Sequence, residues 1–164
     1  MTKKTTLYIL CGLPAAGKST LCQLRQGRVI TADIIRKGIV GSLGDSDHDE
    51  FVWETALNAA EYFLQFGDVY YDATNSTRAR RKPFVDKAKE LGKDVVCVWV
   101  ATPLEVCIKQ NQRRAKSNPD SPPDWVIEKV AGVFEPPTLD EGFAKIEKWL
   151  PAPSGMRAQF IYKT

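Results

Sequence analysis

The sequence predicts an α/β fold, a mainly parallel sheet with helices on both faces. Short apolar runs alternate with helical patterns along most of the chain, the signature of repeated β-α units. The first apolar run opens onto a glycine-rich segment and then a helix, and sheets of this kind collect function at the carboxyl ends of their strands. With 164 residues, no repeats and no low-complexity tract, residues 1–164 are expected to form a single domain around one core.

The elements follow in order. Leu7 to Cys11 is short and uninterrupted, as a strand buried on both faces should be, and Ser19 to Leu24 takes up a helical pattern. Arg28 to Thr31 reads as a second strand and Asp33 to Ile39 as a short helix, with Asp33 where an N-cap would sit. A Gly/Asp-rich connector, Gly41 to Asp49, leads to a helix over Glu50 to Leu64 that Gly67 ends. Asp68 to Asp72 is the third strand, Thr77 to Leu91 a charged amphipathic helix closed by Gly92, and Val95 to Val100 a fourth, fully buried strand. Pro103 to Arg114 is a helix with proline near its first position, Ala115 to Asp124 a loop carrying three prolines, and Trp125 to Phe134 a further helix. The tail from Phe143 to Lys163 predicts one or two more strands, although Ile146 and Trp149 are also spaced like one helical face.

Composition excludes several classes. The net charge of +3 is far from the cationic balance of a protein that coats nucleic acid. Cys11, Cys22, Cys97 and Cys107 form no C-x-x-C pair and lie in apolar stretches, so they read as small core residues in a reducing compartment. A zinc role would have one histidine, His48, to draw on. The apolar run near the N-terminus is too short for a signal peptide or a membrane span, and a cytoplasmic protein with no membrane contact is expected.

Gly12-Leu13-Pro14-Ala15-Ala16-Gly17-Lys18-Ser19 matches G-x-x-x-x-G-K-[ST] between the first strand and the first helix. Glycines at 12 and 17 let the loop curl so that successive N–H groups, including those of Ala15, Ala16 and Thr20, face phosphate oxygens. Lys18 would reach the β and γ phosphates and Ser19 would ligate Mg²⁺. The motif implies ATP or another nucleoside triphosphate with Mg²⁺, in a P-loop NTPase three-layer sandwich. A Gly-rich turn before an ordinary helix is the competing reading, and it leaves the Lys-Ser pair unexplained.

Three further features fall just after strands. Asp33 could accept the proton of an attacking hydroxyl or merely cap its helix, with Arg36 one turn on. Asp72, ending a strand that resembles a Walker-B segment, would hold Mg²⁺ directly or through water, or cap the turn Asp72-Ala73-Thr74-Asn75. Arg113 and Arg114, at the root of the Pro-rich loop, suit a lid over about residues 113–124 that closes on nucleotide, or simply complement a helix dipole. Arg78, Arg80, Arg81 and Lys82 read as a solvated face, and Trp53 and Tyr62 as core. Asp45, Asp47 and Asp49 alternate like early EF-hand ligands but lack the glycine and glutamate that motif needs.

Taken together, Gly12 to Ser19, Thr31-Ala32-Asp33-Ile34-Ile35-Arg36, Asp72 to Asn75 with Arg80-Arg81, Asn111 to Arg114, and Phe134 to Phe143 resemble the kinase domain of phage-type polynucleotide 5′-hydroxyl kinases, within the wider family of small P-loop kinases. The resemblance implies Asp33 as general base on a 5′-hydroxyl, Arg36 as contact to the acceptor's neighbouring phosphate, and Arg114, with Arg113 as runner-up, as the lid arginine on donor phosphates. The family's second acidic residue, which braces the acceptor arginine, would fall at Ala73, with Asp72 one place early. The implied substrates are ATP and a 5′-OH RNA or DNA end, with phosphatase or ligase functions supplied by separate partners. A kinase of a small-molecule alcohol and an ATP-hydrolysing binding switch are the alternatives; the Asp33/Arg36 pair argues against the switch, which has no evident need of it.

Overall fold

The computed structural model describes residues 4–41, 43, 46–152 and 155–163. Six strands form one sheet: β1 (Thr6–Cys11), β2 (Arg28–Thr31), β3 (Val69–Asp72), β4 (Asp94–Val100), β5 (Lys145–Ala152) and β6 (Gly155–Lys163). Their order is β2-β3-β1-β4-β5-β6, parallel throughout except for β6, which runs antiparallel beside β5. The expected α/β architecture is therefore present, and the tail forms two strands. Ile146 and Trp149 pair with Cys97 and Val100 along β5 and share no helical face.

The parallel strands carry apolar residues on both faces because helices cover both. One layer packs Leu7, Ile9, Val69, Tyr71, Val95 and Cys97 against α3 (Asp49–Phe63) and α4 (Arg78–Glu90). The other packs Leu10, Tyr70, Val96, Val98 and Val100 against α1 (Lys18–Gln23), α5 (Leu104–Ala115) and α6 (Asp124–Val133). All four cysteines are free and buried, in keeping with a core role. Among the described residues no helix is long and apolar enough to cross a membrane.

Local starts and stops differ in detail from expectation. The N-cap of α2 (Ala32–Ile35) is Thr31, which leaves Asp33 inside the first turn. Pro103 caps α5 from outside, its ψ of 148° being extended, and the helix begins at Leu104. After α2 the chain widens into a π-turn over Arg36–Val40, closed by a bond from Gly41 N–H to the Arg36 carbonyl and by a left-handed φ of 86° at Gly41.

Arg81 is no part of a solvated face. Fully buried, it forms a bidentate pair with Glu141 at 2.7 and 3.0 Å and donates from Nη1 to the Asn75 carbonyl at 2.9 Å. The segment Glu135 to Phe143 thus clamps the start of α4: Glu135 accepts from Arg78 N–H at 2.6 Å, and Phe143 is buried in the core.

Candidate active site

The strand order places β1 between β3 and β4, so the loops leaving β1, β2, β3 and β4 converge at one end of the sheet. A cavity of about 680 Å³ lies there. Its floor is the loop Pro14 to Thr20; one wall comes from Thr31 to Arg36 with Asp49 and Trp53, a second from Asp72, Ala73, Thr74, Ser76 and Arg80, and a third from Gln110, Arg114 and α6.

The floor is shaped by tight backbone. A Cβ at Gly12, whose φ is 157°, would stand 2.6 Å from the Val100 carbonyl oxygen, and Gly17 holds a φ of 102° at the N-cap of α1. Ala15 is also left-handed, at φ 62°. Thr102, just past β4, donates from Oγ1 to the Ala16 carbonyl at 2.7 Å and supports the loop from below.

Lys18 is buried and donates to the Gly12 and Leu13 carbonyls at 3.0 and 2.6 Å. Burial pushes its pKa down, and the charge of Asp72 foremost pushes it back up. Ser19 Oγ donates to Asp72 Oδ2 at 2.7 Å, which brings the two expected metal ligands together from separate elements. A hydroxyl and a carboxylate at a P-loop are hard oxygen donors of the kind Mg²⁺ takes. Asn75, in a left-handed conformation at φ 45°, donates from Nδ2 to the Leu10 carbonyl at 2.6 Å and ties the end of β3 to β1.

The opposite wall holds Asp33 and Arg36. The Asp33 carboxylate is exposed in the cavity and accepts no hydrogen bond from the described residues. Arg36 is ion-paired with Asp49 at the first position of α3, its side chain 12% exposed. The carboxylate on Arg36 is therefore Asp49 rather than one at position 73 or 72. Asp45 lies outside the described residues, and Asp49 serves an arginine, not a calcium loop.

Arg114 lines the cavity and Arg113 is not among its lining residues. Arg114 donates from Nε to Ser121 Oγ at 3.3 Å, and Asn111 Nδ2 to the Pro122 carbonyl at 2.7 Å, so α5 holds the Pro-rich loop from both side chains. Lys37 pairs with Asp120 and joins that loop to the turn after α2.

Sequence reasoning missed Thr102, Asp49, Arg80 and Trp53. Trp53 is half-buried at the cavity rather than core, with the Arg80 guanidinium 3.4 Å from its ring centroid, and Tyr62 is 56% exposed. Helical spacing put these aromatics on an apolar stripe, and spacing does not say where that stripe leaves the sheet.

A family model described as an AAA domain, AAA_33, matches residues 7–137. The L-seryl-tRNA(Sec) kinase of Methanococcus maripaludis is 25% identical over 141 residues, covering 80% of this chain and 53% of that protein. The bifunctional polynucleotide phosphatase/kinase of Schizosaccharomyces pombe is 25% identical over 143 residues, covering 87% of this chain and 33% of that protein. The chain thus spans about half and about a third of the lengths of these relatives. Among solved structures, the Mycobacterium tuberculosis APS kinase CysC in complex with AMPPNP and APS has the same fold, with a TM-score of 0.62 at 19% identity over 90% of this chain and 89% of that one.

Proposed function

The chain belongs to the AAA_33 family of P-loop domains, and from that premise we propose that it is an ATP-dependent kinase that transfers the γ-phosphate to the 5′-hydroxyl end of RNA or DNA. The observation that carries the reading is the Asp33 carboxylate, which accepts no hydrogen bond among the described residues and lines the same cavity as the phosphate loop. A cap would be hydrogen-bonded to its helix; a general base must be available to substrate. The two relatives described above are named as a kinase of an L-seryl-tRNA and a polynucleotide phosphatase/kinase, and a polynucleotide substrate for this chain is in keeping with the second.

The acceptor hydroxyl gives its proton to Asp33 as its oxygen bonds to the γ-phosphorus, and the bond to the bridging oxygen breaks to release the nucleoside diphosphate. Lys18 exchanges its bonds to Gly12 and Leu13 for phosphate oxygens, and the amides of Ala15 to Thr20 hold the rest of the donor. Arg114 approaches the donor from the lid, over about residues 113–124, and neutralises charge on the transferred group. Ser19 and Asp72 would hold Mg²⁺, which when bound supplies charge neutralisation to the phosphates. Arg36, aimed by Asp49, holds a phosphate beside the acceptor hydroxyl. Separate phosphatase or ligase partners would complete end repair.

The test is transfer of label from γ-labelled ATP to a 5′-hydroxyl oligonucleotide. Wild type labels the end, and Asp33→Ala lowers the rate by about 10²- to 10⁴-fold while nucleotide binding persists. Unchanged labelling by Asp33→Ala overturns the base assignment. Label found on a small alcohol alone, or as free phosphate alone, overturns the acceptor.

A further inference from the structure

Two walls of the cavity are joined by a pair of side chains that the reaction above does not use. Lys37, in the π-turn after α2, donates from Nζ to Asp120 Oδ2 in the Pro-rich loop. The pair therefore runs from the wall that carries Asp33 and Arg36 to the wall that carries Arg114, and Asp120 itself lines the cavity. Lys37 is 61% exposed and Asp120 41%, and exposed ion pairs contribute little to stability. A weak contact on a lid suits a step that must open and close at each turnover better than it suits holding the fold together.

Both partners stand on hydrogen-bonded turns. Asp120 N–H donates to Asn118 Oδ1 at 2.9 Å, Ser121 N–H to the Asn118 carbonyl at 3.2 Å, and Asn118 N–H to the Arg114 carbonyl at 2.9 Å. With Arg114 Nε on Ser121 Oγ at 3.3 Å, the tip that presents Asp120 is tied to the arginine expected on the donor phosphates. On the other side, the π-turn closed at Gly41 carries Lys37 next to Arg36. Consecutive residues of a helical turn do not face each other, so one turn offers Arg36 to Asp49 and Lys37 to the lid. A series of polar contacts thus connects the donor side to the acceptor side: Arg114 with Ser121, Asp120 with Lys37 and, one residue back, Arg36 with Asp49.

We propose that Lys37 and Asp120 form a clasp that, with nucleotide bound, holds the lid against the acceptor turn, slows nucleotide release and steadies Arg36 for the acceptor. Both are positioning residues: they act through Arg114 and Arg36, and neither needs to touch substrate. The first effect rests on the nucleotide-binding half of the kinase reading and the second on its acceptor half. The coupling is reciprocal, so an acceptor held by Arg36 slows release of the nucleotide as much as the nucleotide strengthens binding of the acceptor.

Release of N-methylanthraniloyl-ADP in the presence of Mg²⁺, followed by stopped-flow fluorescence after mixing with excess ADP, reads the first effect without turnover. Lys37→Met and Asp120→Asn should each speed release by about two- to fivefold. The double variant should match the singles rather than multiply them, and Lys37→Arg, which keeps the charge, should stay near wild type. Unchanged release in the singles, or a double variant in which the two factors multiply, overturns the clasp while the kinase reading stands. At saturating ATP the KM for a 5′-hydroxyl oligonucleotide should rise by a similar factor in each single variant, while the nucleotide-free protein binds the oligonucleotide as wild type does. Faster release with that KM unmoved overturns the link to Arg36. Failure of the wild type to label the oligonucleotide overturns the polynucleotide acceptor alone, and the release rates still decide the clasp. No binding of the ADP analogue to wild type overturns both.

Discussion

Removing the carboxylate of Glu141 should cost a large part of the protein's stability. Arg81 is 0% exposed and the Glu141 side chain 5% exposed, so water can replace neither partner and no solvent discount applies. Glu141→Ala would leave the guanidinium with the Asn75 carbonyl as its one remaining oxygen acceptor among the described residues. Breaking a buried pair from one side costs about 3–5 kcal/mol, and for a domain of this size each kcal/mol lowers Tm by about 2–4 °C, so a fall of about 6–20 °C is expected. The double variant Arg81→Met/Glu141→Leu removes both charges and should recover at least about 2 kcal/mol of the summed single losses. Thermal and urea unfolding of the wild type, Arg81→Met, Glu141→Leu and the double variant give the cycle, with Glu141→Ala measured beside them. A loss below about 1 kcal/mol in Glu141→Ala, or strictly additive single losses, would refute the argument that these charges are held by each other.

Two further outcomes are expected. Thr102→Val keeps the shape of a buried side chain but leaves the Ala16 carbonyl without its 2.7 Å donor; it should cost about 1–2 kcal/mol and raise the KM for nucleotide several-fold, and an unchanged KM would show that the loop does not depend on this support. Glu147 is buried, which alone would raise its pKa, but hydrogen bonds from Lys145 and Arg25 outweigh burial and hold it below the ordinary 4.5. Its folded pKa being depressed, its contribution is complete above about pH 4.5 and is lost as pH falls through the folded value, so Glu147→Gln should lose about 1–3 kcal/mol at pH 7 and much less at pH 3. Urea unfolding at the two pH values checks this, and a constant gap contradicts it.

Much of the molecule was legible in the chain. The apolar runs Leu7 to Cys11 and Val95 to Val100 are uninterrupted because helices cover both faces of those strands, and burial on two sides leaves no polar alternation to confuse with a surface strand. The phosphate loop was legible because its chemistry is local: glycines, lysine and serine at fixed offsets act through one continuous stretch of backbone. Asp33 and Arg36 were singled out by their place after a strand and Arg114 by its place at the root of the Pro-rich loop, and all three line one cavity.

What spacing could not reveal was which side chains meet across elements. Asp49 was read as part of a solvated acidic connector, yet its distance from Arg36 depends on the π-turn and on how α3 returns to the sheet. Arg81 looked like one of four surface cations; only the return of residues 135–143 to α4 supplies the carboxylate that allows it to be buried. Arg80 and Trp53 belong to different helices, and their contact exists only once α3 and α4 share a face of the sheet. The sequence by itself determined the sheet, the phosphate cradle and the candidate base, all of which depend on local pattern. The tertiary structure alone decided which charges are paired and which face the cavity, because Coulombic and hydrogen-bond energies fall off over a few ångströms and the chain path sets those distances.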